Sequence, residues 1–285
     1  GDWLLYRSPL DDAPVRARID TGSVATMRAL GIEGARPRPV SEALLNVFPA
    51  APSLTTPEMP RLGEPGPSAL SWARVGTVVK SVGVDGVSSY FVVLAGGLQR
   101  VSRPAAEMLR MSGDSPSSEV RTVSPADLAR VPTVVGLPLQ SFPDAAPRLV
   151  ADDAVLCRSW RRDRGQSIAA EQLVVARGLP LPAGSRAVTL SSADGSGPGL
   201  DGVYLPPGSG EYLLPVGTGP RAAPAEAAMY VGDAGVRYPL AGDGVAQMLG
   251  LPAEPALVPW PVVALLPAGP QLSREAALVA HDVAR

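Results

Sequence analysis

Val258–Pro267 reads VPWPVVALLP, and its pattern occurs three times in the chain. Each copy opens on a valine, continues with a Ser or Pro suited to a helix start, and closes nine residues later on proline. Val40–Pro49 is VSEALLNVFP and Val123–Pro132 is VSPADLARVP. The fifth and eighth residues after the valine are apolar in every copy: Leu45 and Phe48, Leu128 and Val131, Val263 and Leu266. Residues three apart share a helix face, so each copy predicts a mini-helix with one buried side. Ser41 and Ser124 suit N-caps, Pro125 and Pro259 suit a first turn, and the closing proline stops the helix.

What precedes the mini-helix also recurs. GVRYPL (235–240) and QMLGL (247–251) come before Val258, VRARID (15–20) and MRALGI (27–32) before Val40, and GLQRVS (97–102) and AEMLRM (106–111) before Val123. The repeated unit is strand, turn, short helix, loop, mini-helix and proline, over roughly 40 residues. One such unit buries too little apolar surface to stand alone and must pack on a neighbour. Residues 15–54, 97–137 and 236–272 are therefore expected to share one fold.

At 285 residues, with 46% apolar residues, the chain has material for a sizeable core. Its 30 Gly and 32 Pro predict many turns and short elements. A net charge of -2 argues against a nucleic-acid binder, whose affinity comes largely from a basic face. The longest apolar run, 256–269, is broken by prolines and is too short to cross a bilayer. The opening GDWLLYRS carries no leader pattern and is expected to begin an extracytoplasmic part. With Cys157 as the single cysteine, no internal disulfide can form.

Between the repeats, TTPEMPRLGEPGPSA (55–69) reads as a connector, and LSWARVGTVVKSVGV (70–84) as a strand outside any repeat. SSYFVVLAGG (88–97) leads into the second copy. AVLCRSW (154–160), EQLVVARGLPL (171–181), AVTLSS (187–192), GVYLPP (202–207) and EYLLPV (211–216) predict a small β-rich domain. MYVGDAGVRYPL (229–240) predicts a hairpin, and REAALVAHDVAR (274–285) an amphipathic helix. The fold class is α+β: an elongated chain with a central β-rich domain flanked by small strand–helix repeat domains in a quasi-twofold arrangement. Its expected boundaries are 1–60 for the first repeat domain, 61–88 with 146–222 for the central domain, 89–145 for the second repeat domain, and 223–285 for the C-terminal one.

No active site assembles from the sequence. Gly197, Gly199 and Gly202 spell GxGxxG, but Pro198 and the following GVYLPPGSG forbid the helix a dinucleotide fingerprint needs. Lys80, the single lysine, follows no glycine loop, so a phosphate-cradling motif is absent. His281 is the only histidine and reads as a solvated helix residue, which excludes His-based triads and histidine-rich metal sites. The carboxylate pairs Asp11/Asp12 and Asp152/Asp153 read as turn and cap residues. Catalytic, cofactor and metal residues are accordingly expected to be none. Arg158, Arg161, Arg162 and Arg164 form the one dense basic patch, either a solvated loop balanced by Asp163 or a protein-docking surface.

Taken in order, these motifs resemble EccB, the membrane-anchored core component of type VII (ESX) secretion systems in actinobacteria. The matching stretches are residues 235–277, GVYLPPGSGEYL (202–213), FVVLAGGLQRVSRPAAEML (91–109) with VSPADLARVP, and LCRSW (156–160). The resemblance implies a single-pass cell-membrane protein with this part extracytoplasmic. It also implies repeat domains similar to phage-lysin cell-wall-binding units, and four repeats where three are found. The implied function is a structural subunit of the secretion core, with a peptidoglycan-binding module as the alternative and a nucleotide hydrolase as the second. The implied partners are the FtsK-like ATPase EccC, EccD, EccE, the mycosin protease, further copies of the chain and the cell wall. The family usually pairs the LCxxW cysteine with one in a WxVC-like strand. Here WARV places Val75 at that position, so the resemblance implies that Val75 packs against Cys157 from a neighbouring strand.

Overall fold

The computed structural model describes every residue except 113–114, 117–118, 151–154, 243 and 280–285. The chain begins with the hairpin β1 (Asp2–Arg7) and β2 (Pro14–Ile19), then α1 (Val24–Ala29) and α2 (Glu42–Asn46). β3 (Val78–Val82), β4 (Ser88–Leu94) and β5 (Gly97–Val101) lead into α3 (Arg103–Met111), and β6 (Arg121–Thr122) into α4 (Pro125–Leu128). β7 (Val155–Arg161) and β8 (Ala170–Ala176) form a second hairpin, and β9 (Val188–Thr189) pairs briefly with β10 (Gly202–Val203). β11 (Gly210–Val216), β12 (Met229–Gly232), β13 (Arg237–Pro239), α5 (Val245–Met248), β14 (Ala256–Pro259), α6 (Trp260–Val263) and α7 (Arg274–Ala277) complete the mixed α+β chain. The helix expected over 274–285 is confined, among the described residues, to 274–277; 280–285, with His281, lie outside them.

Two compact units result: residues 1–37 with 50–150, and residues 38–49 with 151–285. Each contains a four-stranded sheet, β5-β4-β3-β6 in the first and β13-β12-β11-β14 in the second. Both are three antiparallel strands closed by a parallel one that runs directly into the mini-helix. The chain then returns to the sheet. Just after the closing proline, Thr133 bridges Leu98 in parallel and Ala268 bridges Arg237. Val134 N–H donates to the Leu98 carbonyl and Gly269 N–H to the Arg237 carbonyl, both at 2.8 Å. The first copy does the same, with Ala51 N–H donating to the Arg16 carbonyl at 2.8 Å. Proline thus has two roles here: it stops the mini-helix and hands the next residues to the edge of the first strand.

The caps follow the sequence closely. Ser41, Ser124 and Ser102 each accept the N–H three residues on, from Leu44, Asp127 and Ala105. Pro259 takes the N-cap position itself rather than the first turn and offers no side-chain bond. Of the mini-helix faces, the eighth position is buried in every copy (Phe48 1%, Val131 5%, Leu266 7% exposed). Leu45 and Leu128 are only half-buried, while Val263 is buried.

Three expectations about boundaries are corrected. β3 belongs to the second repeat's sheet, and residues 70–77 are not a strand, so 61–88 does not group with 146–222. Val78 points into one core with Val92 and Met108, and Val79 into another with Val93 and Val131. A strand buried on both faces reads as a plain apolar run, which gave no sign of its sheet. β11 likewise belongs to the last repeat, which therefore starts near 210 rather than 223. Segment 38–49, with the first mini-helix, belongs to the second unit rather than to a domain 1–60.

In the first unit α1 packs on α3, and their apolar faces join Leu4, Tyr6, Leu54 and Phe142 in one core. Tyr6 O–H donates to the Ser141 carbonyl at 2.5 Å. Burial, and secondarily the Asp11 carboxylate, raises the Tyr6 pKa from 10.0 to about 12. The unfolded phenol ionises first, so this contribution is complete below about pH 10 and is lost as pH rises toward 12. Tyr6→Phe should flatten the fall in first-unit stability over that window, measured by denaturant unfolding at stepped pH.

Candidate functional site

β7 and β8 pair in register, with Arg158 opposite Leu173 and Trp160 opposite Glu171. Alternation along the strands puts Arg158, Trp160 and Glu171 on one face. Arg158 is the hub of the second unit. Its side chain is 3% exposed and its Nη2 lies 2.5 Å from Glu171 Oε2, itself on a side chain 1% exposed. The same guanidinium donates to the carbonyls of Val47 and Thr218 and sits 5.6 Å from the Phe48 ring centroid. One cation therefore ties segment 38–49, strand β8 and the turn after β11 together. Arg162 is 7% exposed and donates to the Ala222 carbonyl at 2.8 Å.

The arginine patch is thus not a single surface. Arg158 and Arg162 are internal, and only Arg161 and Arg164 lie outside, beside Asp163 at 3.1 Å and Glu254 at 3.5 Å. Strand alternation buries Arg158, while the Ala222 carbonyl draws Arg162 inward.

Val75 and Cys157 do not face each other from neighbouring strands. Val75 is wholly buried in a turn of the first unit, where its N–H donates to the Glu64 carbonyl and its own carbonyl accepts from Gly63. Cys157 lies on β7 opposite Val174, half-buried and free. Resemblance of WARV to a cysteine-bearing strand misled because the valine completes a turn before β3.

The glycine motif is a turn whose donors are already used. Gly199 N–H donates to Asp194 Oδ2 at 2.9 Å, and the Asp194 and Gly195 N–H groups donate to Asp201 Oδ1 at 3.0 and 2.8 Å. A phosphate would meet two carboxylates there rather than free amides. Lys80 lies on β3 opposite Tyr90. Asp12, at φ 54°, forms the β1–β2 turn and pairs with Arg7 at 3.3 Å; Asp152 and Asp153 lie outside the described residues. Among the described residues no cluster of three His, Cys, Asp or Glu could hold a metal, and no helix is long and apolar enough to cross a membrane.

A feature invisible in the sequence is a groove that occurs in both four-stranded sheets, on the face covered by the mini-helix. The registers Val79↔Phe91↔Arg100 and Leu213↔Met229↔Pro239 align the two sheets position by position. In the first unit the groove has a volume of about 490 Å³ and is lined by Ser81, Gly83, Phe91, Leu98, Arg100 and Pro125 among others. In the second, also about 490 Å³, the equivalent positions are Pro215, Gly217, Met229, Arg237, Pro239 and Trp260. One scaffold therefore carries a mixed groove, with Ser81, Asp85, Ser89 and Arg100 among its apolar residues, in one unit and an almost wholly apolar one in the other.

A family model described as "Type VII secretion system ESX-1, transport TM domain B" matches residues 1–285. The chain belongs to this EccB family. It is 36% identical over 290 residues to the ESX-3 secretion system ATPase EccB3 of Mycolicibacterium smegmatis, covering 99% of this chain and 55% of that protein. The chain thus spans about half the length of the curated relatives it matches. The solved EccB3 dimer from the ESX-3 core complex is 34% identical, with a TM-score of 0.81 over 98% of this chain and 70% of that one. The periplasmic assembly of the ESX-5 inner membrane complex contains a chain 31% identical, with a TM-score of 0.75 over 100% of this chain and 71% of that one. The EccB resemblance carried by the Val-to-Pro segments and LCRSW is the family shown.

Proposed function

We propose that this chain is an extracytoplasmic scaffold domain of a type VII secretion core complex. The observation that carries the reading is its likeness, along nearly its whole length, to subunits solved inside ESX assemblies. Repeated strand–helix units tied by buried polar groups suit a part whose task is to hold shape within an assembly. On this reading the whole protein is anchored in the cell membrane and associates with copies of itself, with EccC, EccD and EccE, and with the mycosin protease. Tagged full-length protein extracted from membranes in mild detergent should elute together with these components. Recovery of intact, folded protein without any of them would refute the assignment.

Several relatives are called ATPases. We read this domain as a scaffold rather than a site of turnover, since phosphoryl transfer needs backbone donors, a positioned cation and usually a Mg²⁺ ligand in one place. The glycine turn offers carboxylates instead, and the single lysine stands in a strand. Purified chain is expected to show no ATP hydrolysis above background. A rate abolished by a point substitution within the domain would overturn this.

A further inference from the structure

We propose that the free edge of β1 is a docking place for an antiparallel strand of a different subunit, one that carries an acidic residue. Backbone direction on the first hairpin is fixed by the bonds around it. Ser8 N–H donates to the Ala13 carbonyl at 2.9 Å, and the Arg16 and Arg18 carbonyls accept from Ala51 and Leu54 at 2.8 and 2.9 Å. The even-numbered residues of β1 therefore bond β2, and the N–H and C=O groups of Trp3 and Leu5 point to the opposite edge. No strand pairs that edge, and among the described residues no backbone group bonds Trp3 or Leu5 from that side. An unpaired edge is a template for another strand, and β1 carries neither Pro nor Lys to block it.

The other two repeats show what belongs there. Arg16, Leu98 and Arg237 each bridge the residue after the closing proline, Ala50, Thr133 and Ala268. Leu5, Val93 and Val231 stand opposite those three and are equivalent, and with them Trp3, Phe91 and Met229. In the second repeat Val93 N–H donates to the Thr77 carbonyl at 2.9 Å, its own carbonyl accepts from Gly76 at 2.8 Å, and Phe91 stands opposite Val79. In the last repeat Val231 stands opposite Glu211 and Met229 opposite Leu213. Val93 is 0% and Val231 2% exposed, while Leu5 is only half-buried. A strand position filled from within the chain in two repeats is thus open in the first.

The filling strands also specify the occupant. Thr77-Val78-Val79 and Glu211-Tyr212-Leu213 both set a polar residue against the Leu5 position and an aliphatic one against the Trp3 position. Between Thr and Glu, charge decides. The side chains of Trp3 and Leu5 share the outer face of the hairpin with Arg16 and Arg18. Both guanidiniums lie over the Trp3 ring, 4.9 and 5.0 Å from its centroid. Arg18 is exposed and meets no carboxylate among the described residues. Such a face is matched to a strand with Glu or Asp opposite Leu5 and an aliphatic residue two positions later, opposite Trp3. Both strands of that pattern in this chain are already built into sheets, so the occupant comes from a different subunit.

The open edge is independent of the scaffold reading; that an assembly subunit fills it rests on that reading, and each has its own test. The probe for the edge is the peptide GEYLLPV, which copies residues 210–216. Added to the chain, it is expected to slow amide exchange at Trp3 and Leu5. GKYLLPV should bind about tenfold more weakly, the loss expected for one charge-assisted contact. Leu5→Pro should abolish binding, because it removes an outward N–H and leaves the β1–β2 ladder whole. Unchanged exchange at Leu4 and Tyr6 verifies that the hairpin is intact. No protection by GEYLLPV, equal binding of the two peptides, or binding indifferent to Leu5→Pro would each overturn the docking edge. In the full-length protein, exchange at Trp3 and Leu5 should be fast when it is purified alone and slow within the membrane complex. Fast exchange in both states would overturn the partner strand. So would protection in the protein alone, whether complete at once, with its own chain filling the edge, or rising with concentration, with a second copy doing so.

Discussion

Glu171→Leu should destabilise the second unit by about 3–5 kcal/mol, the range for removing one partner of a buried ion pair. The variant leaves the Arg158 guanidinium, whose side chain is 3% exposed, without its counter-charge. Arginine cannot shed its proton to relieve that burial. The Val47 and Thr218 carbonyls still accept from it, but as neutral dipoles they do not replace a carboxylate. The loss should spread to segment 38–49, since Arg158 covers the Phe48 ring and holds the Val47 carbonyl. Faster amide exchange at Leu45 and Phe48, whose N–H groups bond within that segment, would report it. The double variant Arg158→Met with Glu171→Leu discriminates between charge and packing. Both charges then vanish together, and an apolar pair of similar volume is often close to neutral. Recovery of most of the lost stability is expected. If the double variant is as unstable as the single one, the carbonyl bonds rather than the ion pair hold the hub.

That hub was half legible in advance. Four arginines in a seven-residue span announce a basic surface, and nothing in RSWRRDR distinguishes the two that turn inward. The distinction depends on acceptors far away in sequence: Glu171, Val47, Thr218 and Ala222. The mini-helices were legible because their signal is local: a capping serine, two apolar residues three apart, and a proline stop. The return of the chain to its first strand was not, because a parallel bridge such as Leu98 to Thr133 is set by backbone geometry and leaves no mark on composition. The membership of β3 and β11 failed for a related reason. β3, buried on both faces, and β11, an unbroken apolar run from Tyr212 to Val216, both lack the alternation that would tell which sheet they enter. The groove was hidden more deeply, since it becomes apparent only when the registers of the two sheets are laid side by side.

Gln99 is the other polar residue on which a repeat depends, and Gln99→Leu should cost the first unit about 3–5 kcal/mol. Sequence places it mid-strand in GLQRV, where an alternating pattern would call it solvent-facing; it is 3% exposed. Its Oε1 accepts from both the Gly136 and Leu137 N–H groups, and its Nε2 donates to the Leu137 carbonyl, all at 2.8 Å. The amide thus continues by side chain the parallel pairing that Leu98 begins by backbone, and fixes residues 136–137 against β5. Leucine matches glutamine closely in volume, so no cavity opens and the lost free energy is that of the polar groups. The buried N–H and carbonyl of Leu137 would be left without partners, at about 1–3 kcal/mol each, while the exposed Gly136 N–H can turn to water. The prediction is specific in place as well as size: amide exchange should accelerate at Gly136 and Leu137 well before the β4–β5 ladder is affected. Gln99→Glu provides the sign test. It keeps an acceptor for both N–H groups but sets a carboxylate against the Leu137 carbonyl, so it should lie between wild type and leucine and recover as pH falls and the carboxyl regains a proton to donate. Leucine tolerated without loss would mean that residues 136–137 find other partners and that Gln99 is not what holds them.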